Sequence, residues 1–113
     1  MSETVQIPTI EVDSVASRAD AVLLDVREPG EWLAGHAPST INIPMQEVPA
    51  RLDAIDSART IICICRSGNR SGQVTAFLRA QGVDAINMTG GMQAWSLAGF
   101  PVIGDAGTPG VVI

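Results

Sequence analysis

Residues 60–65 read Thr-Ile-Ile-Cys-Ile-Cys, and residues 66–71 continue directly as Arg-Ser-Gly-Asn-Arg-Ser. The first six are apolar or β-branched, without charge, Gly or Pro, which suits a strand covered on both faces of a sheet. The next six are polar and lead into Val74, Phe77, Leu78 and Gln81 on one side of a helical spiral. A helix is therefore expected over Ser71–Ala80, stopped by Gly82. A strand, a short polar loop and a helix are the repeating unit of a parallel α/β sheet.

Working outward, the same alternation recurs. Ala21–Val26 (AVLLDV) is a second apolar run of strand length, ending beside Asp25. Pro29 fits the first turn of a helix to about Ala34, with Glu28 and Glu31 at its positive end and Gly35 after it. Ile41–Ile43 reads as a very short strand closed by Pro44. Met45–Ile55 carries a helical stripe at 45, 48, 52 and 55 that Pro49 is expected to divide. Val5–Glu11 reads as an edge strand because of Pro8, and Asp13 or Ser14 would cap a short helix to Arg18. Ala85–Met88 is a further strand. Gly91–Ala98 is a short helix that turns Met92 and Trp95 inward. Phe100–Ile113, rich in Gly and Pro, is expected to be an extended tail. Together these elements predict one open, mostly parallel α/β sheet with helices on both faces.

Composition narrows the chemistry. With 113 residues the chain fits one core of ordinary domain size, and 46% hydrophobic against 17% charged residues is a globular balance. All seven basic residues are arginine, at 18, 27, 51, 59, 66, 70 and 79. Without lysine there is neither a Walker A phosphate loop nor Schiff-base catalysis. The net charge of −5 argues against nucleic acid or an anionic membrane as partner. Cys63, Cys65 and His36 fall one ligand short of a closed zinc site, so no metal and no organic cofactor is expected. Cysteines two apart on a strand are poorly placed for a disulfide. Free thiols, no visible signal peptide and no apolar run of membrane-spanning length suggest a cytoplasmic protein without a membrane segment.

The loop after Cys65 carries the chemical expectation. Ligands of such sheets bind beyond the carboxyl ends of the strands. A thiol there faces successive backbone N–H groups, a helix N-terminus, and the cations Arg66 and Arg70, all of which favour a thiolate. Gly68 permits the positive φ that a tight ring needs, and Asn69 tolerates it. Four residues separate Cys65 from Arg70, one fewer than in the tyrosine phosphatase signature, which points to a smaller, sulfur-centred group. Cys63, between two isoleucines, reads as inert core. His36 reads as part of a turn, and Trp32 and Trp95 as core or rim.

Five segments resemble, in order, those of the rhodanese family of sulfurtransferases: LLDVRE (23–28), GHAPSTINIP (35–44), CRSGNRS (65–71), GGMQAW (90–95) and GFPV (99–102). The resemblance covers about Ile7–Val102 and implies a single rhodanese-like domain over 5–103 followed by a Gly/Pro-containing tail, 104–113. It implies that Cys65 carries a persulfide, loaded by a donor such as thiosulfate and unloaded by cyanide or a thiol. Amides and side chains of Arg66, Ser67, Gly68, Asn69, Arg70 and Ser71 would bind the sulfur anion, with Ser71 also capping the helix. Asp25 and Arg27 would support the loop. Ser39-Thr40 stands where the family has Gly-Ala, and Ala37 replaces a larger apolar residue. Three other functions fit parts of the pattern. One is a persulfide relay fed by a sulfur-carrier protein partner, with little thiosulfate activity. The others are oxyanion chemistry of the phosphatase or arsenate-reductase kind, and a thiol redox sensor.

Overall fold

The computed structural model describes residues 6–113. Strands β1 (Thr9–Ile10), β2 (Val22–Asp25), β3 (Thr40–Asn42), β4 (Ile61–Ile64) and β5 (Ala85–Met88) form one sheet in the order β1-β5-β4-β2-β3. Every pairing is parallel. The helices are α1 (Pro29–Ala34), α2 (Asn69–Ala80) and α3 (Gly91–Leu97), with 3-10 turns at Val12–Ser17, Met45–Ala54 and Asp105–Gly107.

The central strand β4 is buried at all four positions because layers cover both of its faces. Ile61, Cys63 and Cys65 point to the layer that contains Val48, Val74 and Leu78. Ile62 and Ile64 point to the other, with Val12, Val15, Met92 and Trp95. Strand alternation thus divides a continuous apolar run between two cores.

Several local expectations change. Of the expected strand Val5–Glu11, only Thr9–Ile10 pairs, at the sheet edge, and Val5 lies outside the described residues. The Met45–Ala54 segment winds as 3-10 turns and breaks at Arg51, two residues beyond Pro49. Proline removes a donor that an α-helix there would need. Helix α2 begins at Asn69, two residues earlier than expected, with Gly68 at the N-cap in the left-handed region, φ +104°. Ser71 therefore lies inside the first turn and does not cap it. Ser39 adopts φ +63°, the conformation that glycine takes without cost.

The expected extended tail folds back instead. Gly110 N–H donates to Val102 O (3.0 Å), Val111 N–H to Ala34 O (2.9 Å), and His36 and Ile103 exchange main-chain bonds of 2.9 Å. A Cβ on Gly110 would lie 2.8 Å from Gly35 Cα, and one on Gly35 would collide with the Val111 backbone. These two glycines let main chains approach without side chains between them.

Candidate active site

Cys65 follows directly on β4, and the loop behind it is shaped by the start of α3. The N–H groups of Met92 and Gln93 donate to Cys65 O (2.8 Å) and Arg66 O (3.0 Å). These are donors that a helix leaves free in its first turn. Gly91, at φ +59°, sits so close that a Cβ would lie 2.5 Å from Cys65 O and from Arg66 C and O. With the carbonyls drawn outward, loop N–H groups face the sulfur. Gly68 N–H donates to Cys65 Sγ at 3.0 Å, and Ser71 Oγ lies 3.2 Å from it.

Cys65 is only 1% exposed. Burial raises its pKa, but hydrogen bonds from the Ser71 hydroxyl and from the N–H groups of Ser71, Gly68 and Ser67 outweigh it, and the thiol falls below its ordinary value. Cys63 shows the opposite balance. Burial, only partly offset by a Thr75 hydrogen bond, pushes its thiol up to about 11.

The loop arginines do not point freely at the sulfur. Arg70 forms a two-pronged pair with Glu31 of α1 (2.7 and 2.8 Å). The Arg70 hydrogen bonds hold the Glu31 carboxyl down at about 2. Arg66 Nε donates to Ile113 O (3.0 Å), and its two Nη atoms lie 3.1 and 3.2 Å from the amide oxygen of Gln93, with that amide turned to face them. A cleft of about 420 Å³ opens beside them, lined by Arg66, Gln93, Ser96, Leu97 and Val112. The thiolate-favouring groups in contact with Cys65 are thus amides and a hydroxyl, where sequence reasoning also enlisted both arginines. The reason is that each guanidinium has a closer oxygen partner.

Asp25 and Arg27 form a fully buried pair at the tip of β2, with a shortest contact of 2.7 Å. Arg27 Nη2 also donates to Gly35 O (2.8 Å). The pair ties the β2 tip to the Gly35 turn, and its hydrogen bonds do not run to residues 66–71. His36 stacks on Trp32 at 3.6 Å and donates from Nδ1 to Trp32 O. Trp95 lies in the core, its Nε1–H on Pro101 O.

Sequence reasoning did not single out Asn87, Gln93 or the Glu31–Arg70 pair. Asn87 carried a signal, since an amide inside the otherwise apolar strand AINM must find hydrogen-bond partners once buried. Its Nδ2 donates to Gly68 O (3.0 Å), and its Oδ1 accepts from Ser71 Oγ (2.6 Å).

A parallel α/β sheet with a thiol inside a ring of loop amides defines a class of anion-holding, cysteine-based domains. The family model for the rhodanese-like domain matches residues 11–98, and the chain belongs to that family. It is 36% identical to a sulfurtransferase of Allochromatium vinosum, over 82% of this chain and 88% of that protein. It is 33% identical to YrkF of Bacillus subtilis, named as a candidate sulfur carrier, over 80% of this chain and 51% of that protein. A rhodanese-related protein of Thermoplasma volcanium superposes with a TM-score of 0.80 at 32% identity, covering 85% of this chain and 97% of that one. Family and relatives together support sulfur transfer as the general chemistry. Among the described residues, no helix is long and apolar enough to cross a membrane.

Proposed function

We propose that this chain is a rhodanese-type sulfurtransferase in which Cys65 carries the sulfur as a persulfide. The observation that carries this reading is the Cys65 sulfur, buried and facing the Gly68 N–H and the Ser71 hydroxyl. The thiolate Sγ attacks the outer sulfur of thiosulfate. The bond from that sulfur to the sulfonate group breaks, and sulfite leaves with the electron pair. One thiolate and one dianion become one persulfide anion and one dianion, so no oxidant is required. The outer sulfur then takes the charge into the ring of amides. Cyanide, or a thiolate acceptor, attacks that outer sulfur and returns Cys65 as thiolate. Arg66 and the cleft beside it form the approach for the donor, so Arg66→Ala raises the thiosulfate requirement more than it lowers the maximal rate.

The test is thiocyanate formation from thiosulfate and cyanide. Cys65→Ser is expected to lower it by about a thousandfold or more, since the nucleophile itself is removed. Full activity in that variant overturns the mechanism. A second reading, a relay fed with persulfide sulfur by a protein partner, is favoured by one observation. Both loop arginines are already engaged, Arg70 by Glu31 and Arg66 by Ile113 O, which leaves less free positive charge to draw in a dianionic donor. A folded, reduced protein that makes no thiocyanate but accepts sulfur from a persulfidated protein supports the relay.

A further inference from the structure

The hydroxyl of Ser71 has one proton and two neighbours that could take it. Asn87 Oδ1 lies at 2.6 Å and Cys65 Sγ at 3.2 Å. Asn87 cannot turn its amide over to avoid the competition, because its Nδ2 is held on Gly68 O at 3.0 Å. A reversed amide would set two oxygens against each other there. Ser71 is fully buried and Asn87 nearly so, so no bulk water relieves the shortage. While Cys65 is a neutral thiol, the Ser71 proton belongs to Asn87, and the Ser71 oxygen faces the thiol as an acceptor. When Cys65 ionises, a charged sulfur outbids a neutral amide oxygen for the same proton.

We propose that Asn87 is a positioning residue that holds the Ser71 proton, yields it to the Cys65 thiolate, and takes it back once sulfur is loaded and the charge has moved to the outer atom. Asn87 thus weakens the free thiolate relative to the persulfide, which favours the loaded enzyme. The use made of the persulfide rests on the function proposed above; the proton competition does not. The other charged or titratable groups around Cys65 are Cys63 on β4, Arg66 held on Ile113 O, Arg70 with Glu31, and Asp25 with Arg27. None of these side chains hydrogen-bonds the side chain of Ser71 or of Asn87 among the described residues.

The test is the pH dependence of iodoacetamide alkylation, with peptide mapping to assign Cys65. Asn87→Ala is expected to speed alkylation about three- to tenfold below the midpoint, the range a freed hydrogen bond allows. In a Ser71→Ala background the same change is expected to alter it less than about twofold, because there is no proton left to free. Slower or unchanged alkylation in Asn87→Ala, or an equal effect in both backgrounds, overturns the proposal and leaves Asn87 as a tether for Gly68. Should the variant not fold, the side-chain carbonyl carbon of Asn87 in the unsubstituted protein provides the measure by NMR. It is expected to titrate with the Cys65 midpoint and to lose that step in Ser71→Ala. Absence of a step overturns the proposal. Neither readout requires sulfur transfer, so a failed thiocyanate assay leaves this result intact.

Discussion

Cys63 lies within β4 and Cys65 just past its end, two residues on, and both project into the same core, yet burial wins at one and hydrogen bonding at the other. At Cys63, in the middle of the sheet, burial pushes the thiol up to about 11. At Cys65, at the carboxyl edge, burial also opposes the charge, but a hydroxyl and three N–H groups overcome it. In mid-sheet the neighbouring main-chain donors are committed to the ladder. Past the last ladder bond the chain is free to curl, and its N–H groups can turn toward one atom. The ionisation balance of the two thiols thus follows from where the sheet stops, more than from the residue type.

The largest test of that contrast removes a brace at the edge. Asp25→Ala leaves Arg27 buried without its counter-ion, and a loss of about 3–5 kcal/mol in urea unfolding is expected. A loss below about 1 kcal/mol would mean that the pair is dispensable to the sheet end. The contrast itself is measured by alkylation near pH 8. Two pH units separate the ordinary value of 9.0 from the raised value of about 11, and Cys65 lies below the ordinary one. Cys65 is expected to react more than about a hundredfold faster than Cys63 on thiolate fraction alone. Comparable rates would erase the distinction between mid-sheet and edge.

Gly91→Ala probes how the edge is built. Its Cβ would drive into the Cys65–Arg66 peptide at a positive φ. A cost of about 1–3 kcal/mol is expected, together with a Cys65 alkylation midpoint that moves up toward that of Cys63. A midpoint that stays in place would show that α3 does not shape the ring.

The smallest effect is at the rim. Glu31 is pulled from 4.5 to about 2, chiefly by hydrogen bonds from Arg70. A depressed carboxyl contributes stability above its unfolded pKa and loses it as pH falls through the folded one. The pair should therefore stabilise fully above about pH 5 and fade toward pH 2. Glu31→Gln is expected to cost on the order of 1–2 kcal/mol at pH 7, allowing for solvent screening, and to flatten acid unfolding between pH 4.5 and 2. Equal acid unfolding profiles would remove the pair as a stabilising contact.

Much of the fold was legible because it rests on local patterning. TIICIC and AVLLDV read as covered strands from composition alone. Glu28, Pro29 and Glu31 marked the start of α1, where a reciprocal capping arrangement is found. The return of the last segment onto Gly35 and Val102 was not legible, because it depends on main-chain contacts between distant glycines that no periodicity records. The engagement of Arg66 and Arg70 was missed for a similar reason. A run of residues shows that a cation is present but not which oxygen will reach it first. Ser71 was expected to cap a helix, and the structure gives that position to Gly68 and turns the serine to the sulfur and to Asn87.

The sequence by itself determined that this is a parallel α/β domain of the rhodanese family with Cys65 at a strand tip, because strand and helix periods and the order of short motifs are local properties of the chain. Only the tertiary structure decided which groups set the thiol's ionisation. α3 turns the loop carbonyls outward, β5 supplies Asn87 from sixteen residues beyond Ser71, and Glu31 takes Arg70. Those partners meet only when the sheet brings its carboxyl ends together, and a hydrogen bond depends on that distance and direction rather than on separation along the chain.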